Sequence, residues 1–281
     1  MEYSFPWNDS PIIEKQYEKP NYMVRLTGNN TGRALIFFSS HGIYFPNTKD
    51  EFVKKIENED YYDWINISKH RVIGKYFEKI IFVRDIYKQW YITGINSSYN
   101  TIDKLIGFLK SETADMKITT CGSSAGGYMA LLAGLLLNAD RIIDSCGQHN
   151  LEVYLDDPLI SKYKNDFERS KYFDLRKYIN GHEQSIYYFY PNQCEDDVIQ
   201  CKALENTNIK IFSMKGDKHG ETIRTICYPF VLTMPRERLD RLQKKYEHIV
   251  INRADFFNET VPLHDRILFY YRHFVNLIKK Q

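Results

Sequence analysis

The chain has 281 residues, 43% of them hydrophobic and 26% charged, with a formal net charge of +2. This is the composition of an ordinary globular protein. The near-balance of charge gives no electrostatic reason to expect nucleic acid or an anionic membrane as a partner. The longest apolar run, 129–137, is far too short to cross a bilayer, so no transmembrane segment is expected.

The opening Met-Glu-Tyr-Ser-Phe-Pro-Trp-Asn-Asp has no basic region ahead of an apolar core, which predicts a cytoplasmic protein. Five cysteines, odd in number and without a C-x-x-C pair, fit scattered reduced thiols better than a disulfide framework. No H-E-x-x-H, zinc-type Cys/His spacing, EF-hand loop, P-loop or dinucleotide fingerprint occurs, so neither a metal nor a bound cofactor is expected.

In chain order, β-prone runs at 22–27 and 34–38 flank the turn-rich Gly28-Asn-Asn-Thr-Gly32 and predict an antiparallel hairpin. A third strand is expected at 80–83. Ile102, Leu105, Ile106 and Leu109 mark one face of a helix over 101–110. A strand at 117–121 runs into an apolar helix over 128–137, and further strands follow at 141–145, 185–190 and 209–214. Strands alternating with helices predict an α/β fold with a mainly parallel sheet flanked by helices. The whole chain, 1–281, is read as a single domain. Residues 151–184 are too long for a simple connection and are read as a helical lid or acceptor-binding cap over the carboxyl ends of the strands. Residues 221–281 are read as a helical C-terminal extension, in which Ile267, Tyr271, Phe274, Val275 and Ile278 form a core-facing stripe.

The strand at 117–121 meets Gly122-Ser-Ser-Ala-Gly126, a Gly-x-Ser-x-Gly motif between a strand and a helix. That context is the nucleophile elbow of the α/β-hydrolase fold: a tight turn lifts the serine hydroxyl clear of the backbone. Ser124 is the expected nucleophile, with Ser123 as the competing hydroxyl. The fold places the acid and then the base after the serine, each in a loop following a later strand. Asp197, at the start of a helical stretch after the 185–190 strand, is the expected acid, and Asp196 its rival. His219, in the Gly-flanked loop after 209–214, is the expected base. The alternative is His264, with Asp217 as acid. The oxyanion hole is assigned to the N–H groups of Ala125 and of Ser40, after the early strand 34–38, with Ser39 the neighbouring candidate.

The chain resembles a group of bacterial α/β-hydrolase-like proteins of surface polysaccharide synthesis that includes capsule O-acetyltransferases. The resemblance rests on Ile36-Phe-Phe-Ser-Ser40, on Ile81-Phe-Val-Arg-Asp85 with Trp90-Tyr91 soon after, and on Gly122-Ser-Ser-Ala-Gly-Gly127-Tyr. It continues in Asn138-Ala-Asp140-Arg-Ile and in Asp196-Asp197 followed by Gln200, and spans roughly residues 20–225. It departs at the C-terminus, where some sixty residues follow His219. The resemblance implies Ser124 as nucleophile, Asp197 as acid and a His-Gly or Gly-His loop for the base, with His264 still open because of that departure. It also implies acetyl-CoA as acyl donor and a capsular or other surface polysaccharide as acceptor. A carbohydrate or carboxyl esterase with the same triad, and a catalytically idle partner in glycan assembly, are the alternatives. The sequence leaves oligomerisation open.

Overall fold

The computed structural model describes residues 10–179, 185–205 and 207–278. Seven strands form one sheet: β1 (Tyr22–Leu26), β2 (Arg33–Phe38), β3 (Lys79–Val83), β4 (Lys117–Ser123), β5 (Arg141–Ser145), β6 (Ser185–Pro191) and β7 (Lys210–Met214). Their order is β1-β3-β2-β4-β5-β6-β7, with every pair parallel except the antiparallel β1 and β3.

The mainly parallel sheet agrees with the sequence, but the expected hairpin does not form. β3 lies between β1 and β2. Both β2 and β3 are apolar at successive positions and buried on both faces, as an interior parallel strand requires. β1 carries Arg25 and leaves Leu26 67% exposed, which only an edge strand tolerates. The spacer 28–32 is a crossover tied to the segment before β3. Thr31 Oγ1 donates to Tyr76 O at 3.0 Å and the Gly32 N–H to Glu78 Oε2 at 2.9 Å.

Alternation along the strands divides the core into two layers. Ile36, Phe38, Ile81 and Val83 face one side and pack with two helices, α1 (Ile102–Glu112) and α2 (Ala125–Leu136). Leu35, Phe37, Ile80 and Phe82 face the other side, in a cluster with Tyr62, Ile67, Ile73 and Phe77 and with Phe230, Leu232, Leu239 and Phe256 from the C-terminal region. The sixty residues after His219 thus supply part of one of the two layers that an all-buried parallel sheet needs. Buried Arg141 fixes that layer by donating to the carbonyls of Val231, Leu232 and Met234 at 3.2, 2.8 and 2.7 Å.

Residues 151–179 carry short helical segments at Leu151–Tyr154, Pro158–Ser161, Phe167–Ser170 and Arg176–Ile179; 180–184 lie outside the described residues. They pack on α2, where the Tyr128 hydroxyl donates to Tyr172 O at 2.9 Å. One expectation for the tail is corrected. The terminal helix, whose described part is Leu263–Ile278, leaves Ile267 59% and Tyr271 64% exposed, so this part of the stripe is not core. The helix is anchored instead through buried Asp265, which accepts from Arg71 Nη2 at 3.1 Å. The side chains of Phe274 and Ile278 lie outside those described.

Candidate active site

Ser124 sits between β4 and α2 with φ 56° and ψ −125°. A non-glycine residue holds this conformation only when its surroundings over-determine it. The surroundings here are close backbone contacts that leave no room for a side chain. A Cβ on Gly122 would lie 1.9 Å from Gly126 O, and one on Gly126 would lie 2.4 Å from Phe38 O. The Ser124 N–H donates to Ser145 O at 2.9 Å, tying the elbow to β5. The helix begins at Ala125, three residues earlier than the apolar pattern suggests, so its first N–H groups open directly beside Ser124.

Three side chains distant in sequence converge there. His219 Nε2 lies 2.8 Å from Ser124 Oγ, and His219 Nδ1 lies 3.0 Å from each oxygen of Asp197. Asp197 is buried, in the first turn of the helix α3 (Glu195–Lys202), where the partial positive charge of the helix end favours a carboxylate. His219 is partly exposed on the loop after β7, and Gly220, at φ 87°, turns the chain just beyond it.

The rivals stand elsewhere. Asp196 is exposed at the rim of the cleft, Asp217 and His264 are exposed, and Asp265 is committed to Arg71. Ser123 Oγ lies 3.5 Å from Cys146 Sγ. Cys146 Sγ, an Asp197 oxygen and a His219 nitrogen fall within 4.8 Å of one another. Burial, and then Asp197, push the Cys146 thiol up to about 12, so without a cation beside it the thiol stays protonated.

The structure gives the Ser40 amide an acceptor within the protein. Its N–H donates to Asp63 Oδ2 at 2.9 Å, and its hydroxyl donates to the same oxygen at 2.9 Å. A backbone amide has one proton, so as placed the Ser40 N–H does not serve a substrate oxygen. The Ser39 N–H is also engaged, on Val83 O at 2.9 Å. Ala125, the first residue of α2, has no acceptor for its N–H within that helix and stands where the assignment puts it.

Sequence reasoning missed the residues that shape this loop. Asp63 N donates to Ser39 Oγ at 3.3 Å, Trp64 Nε1 to Phe38 O at 3.0 Å and the Tyr91 hydroxyl to Ser39 O at 2.8 Å. Desolvation raises the Asp63 carboxyl, while its hydrogen bonds from Ser40 pull the other way. A second missed group lies at the end of β5: the hydroxyls of Ser145 and Thr222 lie 2.6 Å apart and Tyr228 donates to Ser145 at 2.9 Å, all buried. No motif marks either group. Gln200, noted for its place after the paired aspartates, accepts from the N–H groups of His149 and Asn150 at 2.8 and 3.0 Å and so fastens α3 to the residues leading into 151–179.

No protein-family model matches the chain, and no curated relative does. Solved structures do. The chain is similar to the capsule O-acetyltransferase of Neisseria meningitidis serogroup A in complex with caged gadolinium, at 16% identity and TM-score 0.51, over 81% of this chain and 92% of that one. A mutant of the same enzyme in complex with CoA matches at 16% identity and TM-score 0.52, over 80% of this chain and 93% of that one. At such identity the likeness is one of fold. The fold is that of an α/β hydrolase. Among the described residues, no helix is long and apolar enough to cross a membrane.

Proposed function

We propose that the protein is a serine-dependent acyltransferase that moves an acetyl group from acetyl-CoA to a hydroxyl of a capsular or other surface polysaccharide. The observation that carries this reading is the hydrogen-bonded chain from Ser124 through His219 to Asp197, on a strained elbow beside a helix start. The full chain of contacts weighs against an idle partner in glycan assembly.

In the first half-reaction His219 Nε2 takes the Ser124 proton as Oγ attacks the thioester carbonyl. Asp197, on Nδ1, holds the tautomer that leaves Nε2 free to accept and stabilises the imidazolium that forms. The Ala125 N–H supports the developing oxyanion. The carbon–sulfur bond then breaks, and His219 returns the proton to the departing thiolate, leaving acetyl-Ser124. In the second half-reaction the same imidazole takes a proton from a sugar hydroxyl, whose oxygen attacks the acyl carbon. Ser124 leaves with that proton, and the acetyl ester is on the sugar.

Support for the donor and acceptor is the sequence resemblance together with the CoA bound by the similar structure. The part of that donor which must reach Ser124 is the uncharged pantetheine thioester end. Tyr154 and Asp157 from residues 151–179 line the cleft beside Ser124, which supports reading this segment as the acceptor-binding cap. An esterase would use the same residues with water as acceptor. Following acetyl-CoA consumption with and without candidate glycans separates the two. Glycan-dependent turnover with an acetylated sugar product is expected, and glycan-independent release of acetate favours the esterase.

A further inference from the structure

The cleft beside Ser124 has a volume of about 580 Å³, and its lining mixes aromatic and polar side chains. The aromatic ones are Phe45, Trp90 and Tyr154. Phe45 is 68% exposed and Tyr154 is half-buried. Trp90 lies nearly parallel to Tyr154, with ring centroids 6.3 Å apart and an interplanar angle of 16°. Trp90 Nε1 donates to Gln148 Oε1 at 2.9 Å, so the two side chains fix each other. Among the polar ones stand the Gln148 amide and the carboxylates of Asp157 and Asp196.

Trp90 is held there against backbone preference. Lys88, Trp90 and Tyr91 have φ of 55°, 50° and 62°, the left-handed region that side chains disfavour. Buried Asp85 over-determines this loop by accepting from the N–H groups of Tyr87, Gln89 and Tyr91 at 3.0, 2.6 and 2.9 Å. Strain maintained in this way to brace an aromatic wall beside a nucleophile points to the wall as a binding surface.

Positive charge is missing from the lining. Among the described residues, no lysine or arginine contributes to it. His41, which does, is pushed down to about 3 by burial and then by Lys88, so its ring is neutral. Lys88 is buried behind the wall with its ammonium donating to Tyr44 O at 2.5 Å and to Asn47 Oδ1. Recognition of a carboxylate or phosphate ordinarily uses the charged donors that are lacking here, and the exposed Asp196 would repel it. A neutral pyranose offers what the walls can take: an apolar C–H face for the aromatic rings and hydroxyl donors for carboxylates and an amide oxygen.

We infer that the acceptor is an uncharged sugar residue, laid against Tyr154 and Phe45 with its hydroxyls toward Asp196, Asp157 and Gln148, and that the cleft rejects anionic glycans. This deepens the acyl-transfer reading and rests on it.

The test uses the full chain, a saturating neutral methyl hexoside as acyl acceptor and a matched pair of chromogenic esters, methyl 4-acetoxy-3-nitrobenzoate and its free carboxylate, each corrected for spontaneous hydrolysis. The neutral ester should be turned over with kcat/KM about tenfold higher or more, a difference of roughly 1.4 kcal/mol. The double variant Asp157→Asn with Asp196→Asn should lose most of that preference. Equal values, or preference for the carboxylate in the wild-type chain, would overturn the inference while leaving Ser124 chemistry standing. No turnover of either ester would remove both. A second arm compares methyl hexosides with the matching hexuronic acids as acceptors of the acyl group. Neutral hexosides should accept it, and Tyr154→Ala should raise their KM up to about tenfold with kcat moving less. Uronates accepting as well as hexosides, or a KM indifferent to Tyr154→Ala, would overturn it.

Discussion

The loop after β4 holds its shape by local means. Gly122 and Gly126 press backbone on backbone, Ser124 takes the strain between them, and the following residue begins a helix. The loop after β2, its neighbour in the sheet, is shaped from far away in sequence. Asp63 takes the Ser40 amide and hydroxyl, Trp64 takes Phe38 O, and Tyr91 takes Ser39 O. The two loops touch at Gly126, whose missing Cβ would strike Phe38 O. A group delivered by backbone geometry announces itself as a motif, whereas a group delivered by distant side chains does not.

The largest expected effect belongs to the elbow. Ser124→Ala should lower turnover of a simple ester or of acetyl-CoA by roughly a millionfold with the melting temperature unchanged, while Ser123→Ala retains most activity. Steady-state kinetics and a thermal scan on both variants check this. Substantial turnover by Ser124→Ala would break the elbow's side of the comparison.

Asp197→Asn should cost about ten-thousandfold, through the wrong imidazole tautomer and an unsupported imidazolium, with Asp196→Asn costing less than about tenfold. Ester kinetics on the pair tests it, and the reverse ranking would contradict the assignment.

Gly126→Ala tests where the loops meet. The added methyl must displace Phe38 O, so kcat/KM should fall about a hundredfold, as when an oxyanion donor is lost. Stability should drop by about 1–3 kcal/mol in denaturant titration. A variant with wild-type activity and stability would mean that the contact does not govern the site.

Asp63→Ala sharpens the comparison on the β2 side. It leaves the Ser40 N–H and hydroxyl without their shared acceptor and should lower ester kcat/KM about tenfold, with Asp63→Asn retaining more, because its amide oxygen still accepts. Equal loss in the two variants would locate the effect in charge rather than in the hydrogen bond.

The smallest effect is a pH dependence. Burial lowers the Lys88 ammonium to about 7, with Asp85 and Asp63 pulling it back up. Between about pH 7 and the ordinary lysine range the unfolded chain binds more protons at this position than the folded one. This position therefore adds stability as pH rises through that window, by up to about 1.4 kcal/mol per unit, and the contribution is lost as pH falls through 7. Wild-type thermal scans should show that rise between pH 7 and 9 and Lys88→Met should flatten it, and an unchanged slope would contradict this.

The elbow, the alternating strands and the chain order of acid and base were legible because each depends on spacing along the chain. Ser124 was picked out by its motif and Asp197 and His219 by their order after it, and the structure brings the three within hydrogen-bonding distance. The position of β1 was not legible. A five-residue spacer suits a hairpin, and only the full burial of β2 and β3 forces β1 to the edge. Asp63 was invisible for a related reason: a lone aspartate before a tryptophan signals nothing until the fold sets it against Ser40. The exposed Ile267 and Tyr271 show the converse, an apolar stripe at helical spacing that the described residues do not cover.

The central claim is that acyl transfer passes through Ser124. The most direct measurement is mass spectrometry of the protein after brief incubation with acetyl-CoA and no acceptor, with the peptide containing residues 118–137 sequenced. One acetyl group on Ser124 in the wild-type chain, and none in Ser124→Ala or His219→Ala, is the predicted result. Glycan-dependent turnover with no adduct at Ser124, or an adduct on another residue that turns over while Ser124 stays unmodified, would contradict it.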